Sequence, residues 1–77
     1  MPHVILKIAC GKSDEEKTAL AMALTEAVTK TLACNETFVS VAIEDVEVSN
    51  WTDQVFIPEI AEKPELIFKK PGYDPRT

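Results

Sequence analysis

The chain places its apolar residues first with a period of two, then with a helical period, then with a period of two again. Residues 3–9, HVILKIA, put Val4, Leu6 and Ile8 on one side and His3, Ile5 and Lys7 on the other, which predicts a β-strand with one wholly apolar face. In GKSDEEK, Gly11 supplies a turn and Ser13 stands three residues before Glu16, the spacing of a capping box. Asp14 and Glu15 follow where the positive end of a helix dipole favours acids, so a helix is predicted from Asp14. Leu20, Leu24, Ala27, Val28, Thr31 and Leu32 carry its apolar stripe, and Asn35, tolerant of the left-handed backbone that closes helices, is predicted to end it. Residues 38–44, FVSVAIE, alternate once more, with Val39, Val41 and Ile43 opposite Phe38, Ser40, Ala42 and Glu44.

The predicted unit is β-α-β, an α/β (α+β) arrangement with one small parallel strand pair and a right-handed crossover. One helix covers one face of such a pair. The other face and both edges stay open unless a second copy covers them, so a homo-oligomer is expected. Residues 45–77 are less periodic and hold four of the five prolines. Pro58 and Pro64 each suit the first turn of a helix, which predicts short segments over 51–57 and 58–63 and a last turn or two from Pro64 to Lys70, ended by Pro71-Gly72. No repeat, low-complexity tract or linker interrupts the chain, and residues 1–77 are assigned to one domain.

At 77 residues, a lone domain buries only about 60% of the surface its unfolded chain exposes, so it needs support from bridges, metals or association. Cys10, Cys34 and the single His3 match no zinc spacing; the two cysteines are read as small buried hydrophobes in a reducing compartment. The first residues lack a basic, then apolar, leader, and no run approaches the 18 apolar residues of a membrane span. A cytoplasmic protein without a membrane partner is expected. Net charge is −5, and the longest basic run is Lys69-Lys70, which argues against nucleic acid. Only Arg76 among the eight cations is an arginine, and that limits how an anion can be held.

Four stretches carry a resemblance: MP opening directly into a strand, GKSDEEK at the strand-to-helix turn, SVAIED in the second strand, and the tail DQVFIPEIAEKPELIFKKPGYDP. Through them the chain resembles the 4-oxalocrotonate tautomerase superfamily over nearly its whole length. Its tail is similar to that of the longer-tailed subgroup that includes the bacterial phenylenolpyruvate tautomerase. The resemblance implies a cofactor-independent isomerase whose catalytic base is Pro2, a free secondary amine once Met1 is removed. An ordinary α-amino group has a pKa of about 7.7–8.0, and burial or a neighbouring cation lowers it toward the value a base at neutral pH requires. The implied reaction is a 1,3-proton shift that turns a 2-hydroxy-alkenoate into its 2-oxo acid. Without the other three stretches, Met-Pro would read only as the start of an edge strand, where a missing N–H costs nothing.

In the founding members of that superfamily an arginine stands where this chain has Lys12, and a second where it has Ser40. Arginine grips a carboxylate with two parallel bonds, lysine is a point charge, and serine is a neutral donor. A small monocarboxylate with an apolar or aromatic tail is therefore expected in place of a dicarboxylate. Lys12 is the expected partner of the carboxylate or 2-oxo oxygen, helped by backbone N–H groups at the helix start; it reads equally as a solvated lysine ahead of a cap. Ser40 is the neutral donor at the second position. Trp51 falls near where the family lines its pocket with an aromatic residue, and it reads either as the wall for an aryl group or as a core or interface tryptophan.

The remaining candidates take plainer roles. His3 is read as an interface or surface residue, Lys69 and Lys70 as cations suited to the end of a helical turn, and Tyr73 as an anchor for the tail. Phe38, Phe56 and Phe68 are assigned to packing, and the acid pairs Glu15-Glu16 and Glu44-Asp45 to cap and surface. A homodimer is favoured over a hexamer. Two other functions stay open at this point: a non-catalytic oligomeric binding protein on the same scaffold, marked by Lys12 and Ser40 in place of arginines, and a promiscuous hydratase or dehalogenase.

Overall fold

A computed structural model describes residues 1–76, which form two compact units, one over Met1–Asp45 and one from Val46 onward. In the first, β1 (His3–Ala9) leads through a turn to helix α1 (Asp14–Leu32), and β2 (Ser40–Val46) returns beside β1 as a two-stranded sheet. The Ser40 N–H donates to the Pro2 carbonyl at 3.2 Å, and Lys7 pairs with Glu44 at 3.7 Å. Residue numbers thus rise together along both strands, and the pair is parallel.

Gly11, at φ 119°, makes the turn out of β1 in a backbone region that side-chain-bearing residues rarely enter. Ser13 then caps α1 as its spacing predicts: its hydroxyl accepts from the Glu16 N–H at 3.1 Å, and the Glu16 carboxylate accepts the Ser13 N–H at 3.1 Å. The Ser13 N–H and O–H, both donated to the Glu16 carboxylate, with the Lys12 charge as a smaller cause, hold the Glu16 carboxyl below the usual carboxylate range. Ser13→Ala leaves the first-turn N–H groups without that acceptor, and it is expected to lower stability by about 1 kcal/mol, read as a fall in Tm.

The end of α1 departs from expectation. The helix closes at Leu32, and Ala33, not Asn35, takes the left-handed conformation (φ 52°). The Ala33 and Cys34 N–H groups both reach the Thr29 carbonyl, which satisfies the last turn two residues early. Asn35 instead caps a 3₁₀ turn over Glu36–Phe38 by accepting from the Thr37 N–H at 2.8 Å. That turn consumes Phe38, so β2 begins at Ser40 instead of residue 38 and runs on to Val46.

Side-chain parity sorts the sheet into two faces. Val4, Leu6 and Ile8 of β1 and Val41 and Ile43 of β2 are half-buried, and Asp45, of the same parity, bonds to Lys17 of α1. This is the face that α1 covers. His3, Ile5 and Lys7 share the opposite face with Ser40, Ala42 and Glu44, and Ile5 there is 63% exposed. On α1, Lys17, Ala21, Leu24, Thr25, Val28 and Thr29 are the half-buried positions; Leu20, Ala27, Thr31 and Leu32 of the expected stripe are exposed. The apolar arc of the helix is wider than two strands can cover.

In the second unit, a 3₁₀ turn (Val48–Asn50) leads through Trp51 into a ten-residue helix over Thr52–Ala61. Pro58 lies inside that helix and does not divide it, contrary to the two segments predicted. The helix is of π type, closed by the Glu62 N–H on the Ile57 carbonyl five residues back. A wider turn relieves the clash and the missing donor that proline brings to an α-helix. Among the described residues only one 3₁₀ turn follows, Pro64–Leu66, so Lys69 and Lys70 do not stand at a helix end and the dipole explanation for them falls.

Val46, Val55 and Phe56 are the buried apolar residues among those described. Phe38 and Phe68 are exposed, Phe68 at 98%, so neither packs inside this chain as expected. Cys10 is exposed and Cys34 half-buried, so neither is the buried hydrophobe predicted. No described helix is long and apolar enough to cross a membrane.

The tail of the second unit is pinned by ring and ion contacts. The Trp51 indole N–H donates to the Tyr73 hydroxyl at 2.9 Å, and the Tyr73 ring lies 5.6 Å from that of Phe56. The Arg76 guanidinium sits 5.1 Å from the Phe56 ring centre and donates to both carboxylate oxygens of Asp74, at 3.0 and 2.8 Å. Arg76 holds the Asp74 carboxyl at about 2, against an ordinary 3.8. Because the folded value is the lower one, this contact contributes above the ordinary range and is lost as pH falls from about 3.8 toward 2. Arg76→Gln is expected to return the Asp74 titration, followed by carboxyl NMR shifts, toward the ordinary value.

Candidate active site

β1 holds Pro2 at its start because the backbone ladder begins there. The Pro2 carbonyl accepts the Ser40 N–H, which ties the residue to the first position of β2, and Pro2 is half-buried while Met1 ahead of it is 98% exposed. Two of the expected site residues, Pro2 and Ser40, therefore meet at the N-terminal end of the parallel pair.

A third residue joins them that the sequence reading had set aside. His3 Nδ1 lies 2.6 Å from Ser40 Oγ. The signal for it was present in the parity of the chain: His3 and Ser40 each open a strand of a parallel pair and point to the face opposite α1. Their pairing needed the register, which begins at Ser40 only because the 3₁₀ turn absorbs residues 36–38.

Lys12 is placed elsewhere. It stands beyond the far end of β1, in a pocket of about 310 Å³ lined by Ile8, Ala9, Glu16, Lys17 and Leu20 as well as itself. Lys17 is committed to Asp45, whose carboxylate raises the lysine above its usual range, so Lys12 is the cation this pocket can turn to an anionic guest. The apolar part of the lining, Ile8, Ala9 and Leu20, suits a hydrocarbon tail. Seven strand residues at about 3.3 Å each put roughly 20 Å between Pro2 and this pocket within one chain, farther than a lysine side chain reaches.

A broader cleft of about 860 Å³ runs along α1 past Thr18, Met22, Thr25 and Thr29 and includes none of Pro2, Lys12 or Ser40. Its size does not make it the site, because it holds no base positioned by the sheet. Trp51 belongs to the second unit and is half-buried, with its indole N–H occupied by Tyr73.

Comparison with known proteins finds similarity over most of the chain. The family described as tautomerase enzyme matches residues 2–62. A probable tautomerase of Xylella fastidiosa is 42% identical over 73 residues, covering 95% of this chain and 89% of that protein. Tautomerase PptA of Klebsiella pneumoniae is 43% identical, and that of Escherichia coli O139:H28 is 32% identical, each over 95% of this chain and 97% of the relative.

Proposed function

The chain belongs to the tautomerase family and is an isomerase, and from that premise we propose that it ketonises a small 2-hydroxy-alkenoate or aryl enol-pyruvate with Pro2 as general base. The observation that carries the reading is the placement of Pro2: half-buried, first in line with β1, and tied through its carbonyl to Ser40. With Met1 removed, Pro2 offers a secondary amine whose lone pair the ring holds at one place at the strand's start. The nitrogen takes the proton of the enol hydroxyl, the electrons of the O–H bond form the second bond of the 2-oxo group, the pair of the C2–C3 double bond moves onto C3, and C3 takes the proton back from the nitrogen. No redox step or cofactor enters that balance.

Lys12 receives the carboxylate as a single cation, Ser40 adds a neutral donor, and Trp51 walls an aryl group. Because Pro2 and Lys12 stand at opposite ends of β1, they serve one substrate only if Lys12 comes from another copy of the chain. The surface supports association. Ile5, Met22, Leu32 and Phe38 are each more than half exposed, and no residue of α1 is buried. We read residues 1–77 as one tautomerase-like domain that assembles as a homo-oligomer, a dimer in preference to a hexamer, and works in the cytoplasm.

The test is the intact mass of untagged protein followed by a phenylenolpyruvate ketonisation assay on the same sample. A mass lacking methionine together with turnover is the expected result. A mass lacking methionine without turnover across several 2-hydroxy-alkenoates would favour a binding protein on this scaffold.

A further inference from the structure

His3 is the chain's only histidine, and its contact with Ser40 spans 37 residues of sequence at 2.6 Å and joins the two strands on the face opposite α1. A serine hydroxyl carries one proton. If that proton is spent on Nδ1, Ser40 presents only lone pairs to its surroundings and repels an anion. If Nδ1 carries the proton and donates to Oγ, the serine O–H is left to donate outward. The ring state of His3 therefore decides whether Ser40 can bind a carboxylate at all.

We infer that His3 is a positioning residue for substrate binding: its Nδ1–H donates to Ser40 Oγ and turns the serine O–H toward the substrate carboxylate beside Pro2. The inference rests on the tautomerase reading above and adds a residue to it. Both partners are placed by the sheet, since each opens its own strand and the Ser40 N–H on the Pro2 carbonyl sets their register. Along the same face, the next polar rung is Lys7 with Glu44, whose charges are paired with each other at 3.7 Å, while Ile5 and Ala42 lie between the rungs. His3 is thus the polar group next to Ser40 that can hold its hydroxyl in one orientation.

Two measurements on the Met1-processed protein test this. The ring nitrogens of the sole histidine, followed by ¹⁵N NMR in mildly alkaline buffer, are expected to show the proton on Nδ1; a proton on Nε2 with Nδ1 as acceptor overturns the inference whether or not the enzyme turns over. In phenylenolpyruvate kinetics, His3→Ala is expected to raise KM about five- to tenfold with kcat within about twofold, the pattern of a lost ground-state hydrogen bond. His3→Asn, which returns an N–H donor near the Nδ1 position, is expected to recover most of the loss. Ser40→Ala should raise KM by a similar factor, and the double variant should be no worse than Ser40→Ala alone, because the two residues act as one unit. An unchanged KM in His3→Ala, or effects of the two substitutions that multiply, overturns the inference while wild-type turnover keeps the tautomerase reading. Absence of turnover in the processed wild type removes that reading, and this inference with it.

Discussion

Pro2→Ala is expected to lower phenylenolpyruvate ketonisation by about 10²- to 10⁴-fold, the usual contribution of a positioned general base. Alanine is small enough to leave Met1 removal intact, so the variant keeps an α-amino group, and the comparison isolates placement from mere presence of an amine. In the wild type, the ring prevents the nitrogen from turning about its bond to Cα, and the carbonyl of the same residue is anchored by the Ser40 N–H at 3.2 Å. An alanine amine turns freely and spends most of its time aimed elsewhere. The strand itself should survive, because the bond from Ser40 uses the backbone carbonyl, which alanine also provides. Intact mass and far-UV circular dichroism on the variant check processing and fold, and unchanged turnover in a correctly processed Pro2→Ala sample would remove the proline mechanism.

The second large effect concerns Lys12. Lys12→Ala is expected to reduce kcat/KM by about ten- to a hundredfold, the worth of a hydrogen bond to a charged group, while Lys12→Arg keeps or improves activity through a bidentate grip. The more telling experiment mixes two impaired variants. Roughly 20 Å of strand separates Pro2 from the Lys12 pocket within one chain. If each site joins Pro2 of one copy to Lys12 of another, equal amounts of Pro2→Ala and Lys12→Ala, dissociated and reassembled together, restore about a quarter of the sites, since half of the copies supply an intact proline and half an intact lysine. Activity no greater than the average of the two variants would mean that the residues do not share a site across copies. Light scattering on the same samples reports the subunit number.

How far each feature was legible follows from the range of the interactions behind it. The capping box at Ser13 and Glu16, the start of α1 and the span of β1 rest on contacts within four residues or on strict alternation, and the structure places them where the spacing predicts. Local rules failed where two of them competed. Asn35 can close a helix or open a turn, and the competition was decided by Ala33 and Cys34 finding the Thr29 carbonyl first; β2 shifted by two residues as a consequence. Pro58 can start a helix, yet here it sits within one whose turns are wide enough to accept it.

By itself the sequence determined the β-α-β unit, because alternation and caps are properties of neighbouring residues, and it carried the motifs of the family, whose resemblance supplied Pro2 as the candidate base. Only the tertiary structure decided that Ser40 lies beside Pro2, that His3 holds Ser40, and that Lys12 stands at the opposite end of the strand. Those are distances between residues far apart in the chain, and they depend on strand register and on where a turn chooses to close, which no local pattern encodes.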